Sequence, residues 1–272
     1  MKTKKQYAKD LLKFLDNSPT AFQATDELSA MLDASGAVRL NECDAWQIEK
    51  NKSYYFTKEG TQCAAFRICG DPRETGFRIG AAHQDSPGFR IKTVPSKVEC
   101  GIERLTLESY GGLIIHGWLD RPLALAGRVF VKDENGEAKP VNVNIKKPMI
   151  ILPSAAIHVV RDVNENGKFN VQTDLLPFFA QNRDGKPKFL SFLAKYIGVS
   201  EKDILSFELA PYDAEAVKKH LKERKAFAPP HAGCPGSRAA FISRENDAKS
   251  TDQPFTPSPG RLSQWPVQIK LV

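Results

Sequence analysis

His83 and Asp85 are the residues whose types and spacing could do chemistry. They stand two apart at the end of an apolar run, Phe77-Arg78-Ile79-Gly80-Ala81-Ala82, and Ser86-Pro87 follows at once. In an extended segment residues i and i+2 share a face, so the Asp85 carboxylate is placed beside the His83 imidazole. A metal-bound histidine needs such a partner on its second ring nitrogen, to fix the tautomer and raise basicity. The end of a strand is also where ligand sites open in α/β sheets. Taken alone, His-x-Asp is a short motif, and a histidine at a strand end can equally be a hydrogen-bonded polar residue.

Other polar residues have blander readings. His158 stands beside Val159 and Val160 and reads, on pattern, as a half-buried strand residue. His116 between Ile115 and Gly117 reads as structural. Gly111-Gly112 reads as a turn, since no helix start or Lys-Ser/Thr follows it. Asp120-Arg121 reads as a surface or interface ion pair. The net charge is +7 over 272 residues. It is spread thinly, and the densest basic stretch, Lys218 to Lys225, reads as a solvated helix face without the interleaved aromatics of a nucleic-acid binder. Five cysteines at 43, 63, 69, 100 and 234 include no Cys-x-x-Cys pair, which fits a reducing cytoplasm. No window is long and apolar enough for a membrane span, so neither a membrane nor a nucleic acid is expected as a partner.

The elements that must position His83 follow from periodicity. Tyr7, Leu11, Phe14 and Leu15 lie at helical spacing. Ser18-Pro19 supplies an N-cap and first-turn proline for a second helix, with Ala21, Thr25, Leu28 and Leu32 on one face and Gly36 as its stop. Ser53–Thr57 and Cys63–Ile68 read as a hairpin around Lys58-Glu59-Gly60, and a strand ending at His83 follows. After Pro95 the texture becomes β-rich. Leu105–Glu108 alternates, Gly127–Lys132 and Val141–Ile145 flank the turn Asp133-Glu134-Asn135-Gly136, and Ile150–Leu152 and Ile157–Val160 add two further strands. Phe189–Ile197 is a short helix closed by Gly198. A capping-box-like Ser200-Glu201-Lys202-Asp203, a strand Ile204–Leu209 and a helix Asp213–Lys225 complete the pattern. Seven of the 18 prolines fall in residues 226–272, which show no periodicity and are expected to be irregular and disordered. The organisation expected is residues 1–95, 96–225 and a tail from 226.

Several blocks together carry a resemblance. They are Phe14-Leu15-x-x-Ser18-Pro19-Thr20-x-Phe22, Trp46, Tyr54-Tyr55, Ala81 to Lys92, Glu108-x-Tyr110-Gly111-Gly112, Trp118 to Val129, Ala156-Ile157-His158 and Asn164-Glu165-Asn166. In order and spacing, over about residues 6 to 216, they resemble the aspartyl aminopeptidase family of zinc peptidases. The resemblance implies an α/β fold in which a zinc-peptidase catalytic domain is interrupted by a β-rich oligomerisation domain. It implies a hydrolase in which two zinc ions polarise the scissile carbonyl and activate a water that attacks the N-terminal peptide bond of a peptide, with acidic N-terminal residues preferred by many relatives. Residue by residue, His83 matches a metal ligand, and Asp85 the carboxylate that orients it. His158 matches a histidine that reaches from the β-rich domain into a neighbouring subunit's active site in a homo-oligomer. Gln23 stands where relatives often have histidine.

The chain also departs from that family. Members continue past Phe207-Glu208-Leu209-Ala210-Pro211-Tyr212-Asp213 into an Arg-Leu-Asp-Asn block, a Glu-Glu pair and a C-terminal histidine, which together complete the zinc ligands. Here Phe241-Ile242-Ser243 and Arg261-Leu262-Ser263 echo that region only faintly, and no Glu-Glu occurs. The sequence therefore reads as a truncated or frame-shifted form of such an enzyme after about residue 225, with one credible ligand and an incomplete zinc site. The alternative reading is a non-catalytic oligomerisation module derived from such an enzyme.

Overall fold

The helical spacing near the N-terminus becomes α1 (Lys4–Asn17), closed at its start by a capping box in which Gln6 N–H donates to Thr3 Oγ1 at 3.3 Å and Thr3 N–H to Gln6 Oε1 at 2.7 Å. The computed structural model describes residues 3–162, 168–216 and 267–271. It is a mixed α/β structure. The helix expected from Ser18-Pro19 starts later, as α2 (Ala21–Ala34), because Ser18 is spent as the C-cap of α1, its N–H reaching Leu15 O. Gly36, at φ +79°, follows the end of α2 as expected.

Two units pack separately. One takes in Ala24–Asp85 and the strand Val267–Leu271. Its five-stranded sheet contains β1 (Val38–Arg39), β2 (Ser53–Lys58), β3 (Gln62–Ile68), β4 (Arg78–Gly80) and β11 (Val267–Leu271), in the order β1-β2-β3-β11-β4. The expected hairpin β2–β3 is present, with Tyr54 opposite Phe66 and Tyr55 opposite Ala65. The buried Tyr55 hydroxyl donates to Asp33 on α2 at 2.6 Å, which ties helix to sheet. A single helical turn, α3 (Pro72–Thr75), precedes β4. The tail expected to be irregular thus includes one strand, β11, antiparallel to β3 and parallel to β4. Its residues alternate Val-x-Ile-x-Leu, a short strand signal beyond an aperiodic stretch. The rest of residues 217–266, with the basic stretch, the helix expected to run on to Lys225, His220, His231 and Cys234, lies outside the described residues, as does Asn164-Glu165-Asn166.

The other unit holds residues up to Gln23 and from Ser86 onward. It is β-rich. The strands β5 (Gly88–Glu99), β6 (Ile102–Tyr110) and β9 (Phe178–Gln181) form one antiparallel sheet, and β7 (Leu123–Lys132), β8 (Ala138–Ile150) and β10 (Ile204–Asp213) another in the order β10-β7-β8. Both sheets and α4 (Phe189–Ile197) share one core, built on Phe89, Leu105, Leu107, Trp118, Leu125 and Leu193. The boundary expected at residue 95 falls inside β5. Pro95 sits where the β5–β6 register shifts between Ile91 and Ser96, a bulge that spares a proline its missing donor. The turn at Asp133–Gly136 joins β7 to β8 as expected. β10 runs on through Asp213, so no helix starts there. Glu201–Asp203 is a 3-10 turn without a side-chain cap rather than a capping box. Gly127, at φ +151°, leaves no room for a side chain between β7 and β10: a Cβ there would lie 2.0 Å from Glu208 O.

Candidate functional site

The strand leading to His83 is shorter than its apolar run. It stops at Gly80, and Ala81 to Pro87 follow without regular structure, because β4 pairs with β11 only through Gly80. The side chains nevertheless alternate as a strand's would. Gln84 turns inward, 8 % exposed, and its Nε2 donates to Thr25 Oγ1 on α2. His83 and Asp85 turn outward. His83 Nδ1 lies 3.3 Å from Asp85 Oδ1, with the imidazole side chain 93 % exposed and the carboxylate 39 % exposed. The buried glutamine between them fixes the backbone on which both outward groups stand. An Nδ1 engaged by a carboxylate leaves Nε2 as the ring nitrogen directed to a ligand.

His158 lies in the β-rich unit, and the structure corrects its expected setting. Ile157–Val160 is a turn, in which the Val159 and Val160 N–H groups donate to Ala156 O at 2.8 and 3.1 Å. β-branched residues suit a strand, but among the described residues no strand pairs with them. His158 is exposed and flanked by exposed apolar groups, Ile157 at 50 % and Val159 at 79 %. His83 and Asp85 are thus brought together, and His158 is carried by the other unit.

Three arrangements were missed in the sequence. Asp120 and Arg121 do not pair with each other. Arg121 Nη1 reaches Asp213 Oδ2 at 2.9 Å, while Asp120 accepts from Ser154, N–H at 2.8 Å and hydroxyl. Those two donors hold the Asp120 carboxyl below the usual carboxylate range. Glu103 is fully buried in β6. It accepts from Ser96 Oγ at 2.7 Å, Asn182 Nδ2 at 3.0 Å, and the N–H groups of Lys188 and Phe189 at the start of α4. Burial pushes its carboxyl up, but the hydrogen bonds outweigh burial and leave it below its ordinary value. Gln23, 9 % exposed, donates from Nε2 to Gly127 O at 3.1 Å and Val143 O at 3.0 Å, so its two amide hydrogens serve two strands. None of these had a local signal, because most of the partners lie 34 or more residues away along the chain. His116 packs its ring against Phe169, as a structural residue would, and Gly111, at φ +67°, turns against Pro87. Among the described residues no group of three or more His, Cys, Asp or Glu side chains is placed to hold a metal ion. No helix among them is long and apolar enough to cross a membrane.

Comparison with known proteins bears on this geometry. The family model for aminopeptidase I zinc metalloprotease (M18) matches residues 14–222. The chain is 43% identical over 223 residues to a probable M18 family aminopeptidase 2 of Clostridium novyi, covering 79% of this chain and 51% of that protein. It is 39% identical over 175 residues to an aspartyl aminopeptidase of Dictyostelium discoideum, covering 64% of this chain and 36% of that protein. Among solved structures, a chain in the cryo-EM structure of the Ape4 and Nbr1 complex superposes with a TM-score of 0.72 at 33% identity, over 77% of this chain and 44% of that one. The chain spans about half the length, or less, of the curated relatives it matches.

Proposed function

This chain belongs to the aminopeptidase I zinc metalloprotease (M18) family, and we propose that it supplies a histidine ligand, with its orienting carboxylate, to the zinc centre of such a metallo-aminopeptidase. The observation that carries this reading is the 3.3 Å approach of His83 Nδ1 to Asp85 Oδ1. Asp85 keeps a proton on Nδ1 and so presents Nε2 with its lone pair outward. Gln84, anchored on Thr25, resists rotation of the backbone between the two groups. An imidazole backed by a carboxylate is a donor that fits zinc. Zinc, when bound, would polarise the scissile carbonyl and lower the pKa of a water.

A catalytic zinc takes three protein ligands. His83 is one. We assign the others, for two zinc ions, to the part of these enzymes that the chain does not span, and we expect little turnover from the chain alone. The substrates are peptides, and the resemblance favours an acidic N-terminal residue, in keeping with the aspartyl aminopeptidase among the relatives. The β-rich unit is assigned as an oligomerisation domain that interrupts the catalytic one. Its exposed Ile157-His158-Val159 turn supports a homo-oligomer in which His158 enters a neighbouring copy's site, since exposed apolar side chains clustered on a turn favour being covered. Cys43, Cys63, Cys69 and Cys100 are free thiols, which supports a reducing, cytoplasmic setting.

The test is to purify the chain, measure bound zinc, and follow release of N-terminal Glu or Asp from a chromogenic substrate. The reading expects zinc binding that falls in His83→Ala, with little turnover. Robust turnover with stoichiometric zinc would contradict the division of the ligand set. Zinc binding indifferent to His83→Ala would contradict the role of His83.

A further inference from the structure

Two stretches distant in sequence are held together just before the His158 turn. Leu119 bridges Leu152 in parallel, and Asp120 N–H donates to Leu152 O at 2.8 Å. The Asp120 carboxylate then reaches forward to Ser154, accepting its N–H on Oδ1 at 2.8 Å and its hydroxyl on Oδ2. Asp120 itself stands at φ +56°. That left-handed conformation is open to Gly, Asn and Asp and strained for most other residues. Asp alone of these brings two acceptor oxygens with it. Beyond Ser154 the turn is held by bonds of its own, from the Val159 and Val160 N–H groups to Ala156 O. An exposed turn without buried contacts belongs to the easily opened part of a fold unless something outside it is fixed to it.

We propose that Asp120 is the positioning residue for His158: its carboxylate fixes Ser154, and with it the start of the turn that presents the imidazole. This rests on the reading of His158 as a group that works in a neighbouring copy. Each part of Asp120 has a separable task. The left-handed backbone redirects the chain after Leu119, and the two carboxylate oxygens hold Ser154. Asp120→Gly keeps the first task and removes the second. Asp120→Asn keeps the conformation and one acceptor oxygen.

The full chain, labelled at histidine Cε1 and backbone nitrogen, tests this by NMR, with His158→Gln assigning the ring resonance. In Asp120→Gly the Ser154, Val159 and Val160 amides should exchange faster by roughly three- to tenfold, the range of one net hydrogen bond. The His158 ring resonance should shift, amides in β7 such as Val129 should not change, and Asp120→Asn should show part of the effect. Unchanged exchange at Ser154 and an unmoved His158 resonance in Asp120→Gly would overturn the proposal. Dilution separates it from the reading beneath it. A His158 resonance that moves with protein concentration in the parent chain, and not in Asp120→Gly, supports both. If Asp120→Gly loosens the turn while the His158 resonance ignores concentration, the anchor stands and the role in a neighbouring copy falls.

Discussion

The His83–Asp85 pair shows how two exposed side chains can be held by a buried one. Gln84 is turned into the protein and bonded to Thr25, so the outward neighbours are fixed without being buried. Asp85→Asn should therefore leave the fold intact and weaken zinc binding by about tenfold or more, as loss of an orienting carboxylate does. Competition with a chromogenic chelator would measure it. Glu103 makes the opposite case, a buried carboxylate with a structural task. Glu103→Gln should cost about 1–3 kcal/mol in urea unfolding at neutral pH, because one oxygen that accepts becomes an NH2 that donates toward other donors. Its folded-state pKa is depressed, so its contribution is present above the unfolded-state value of 4.5 and is lost as pH falls through the lower folded-state value. The stability gap between parent and variant should shrink across that acid range, and a gap independent of pH would refute it. His83 and Asp85 were legible because they are two residues apart. Glu103 was not, since its donors sit at 96, 182, 188 and 189 and in sequence it is one polar residue in an alternating strand.

Local pattern located α1, α2, α4 and the β2–β3 and β7–β8 hairpins, and failed at Asp213 and where pairing is long-range. The β7–β8 hairpin was readable from Asp133-Glu134-Asn135-Gly136. β11 was not, because five alternating residues gain meaning only from the gap between β3 and β4 that they fill. Ile157–Val160 failed in the other direction, with strand-forming residues and no strand beside them among the described residues. The interior place of β11, between β3 and β4, makes a prediction. Ile269→Pro removes a ladder donor within the sheet and should speed amide exchange in β3 and β4, at a cost of about 3 kcal/mol or more to that unit. Exchange unchanged in both strands would contradict the sheet order. The β5–β6 turn offers a gain instead. Cys100 at φ +51° and Gly101 at φ +75° form a two-residue turn that favours Asn before Gly. Cys100→Asn should raise stability by about 0.5 kcal/mol, seen as a higher denaturation midpoint.

At the level of the molecule, a β-rich unit and a five-stranded α/β unit are built from segments that alternate along the chain, and the two sheets of the β-rich unit share one core. The family match covers residues 14–222, and the matched stretch spans about half, or less, of each relative's length. The proposed division of labour follows: this chain brings one oriented imidazole, and the catalytic zinc centre is completed by ligands in the portion that the chain does not span. The most direct measurement is a zinc titration of the chain with its five histidines labelled at Cε1. The His83 resonance should respond first, at lower zinc than the other histidines, and Asp85→Asn should remove that preference. A His83 resonance that responds no earlier than the rest, or a preference that survives Asp85→Asn, would contradict the assignment of this pair to a zinc centre.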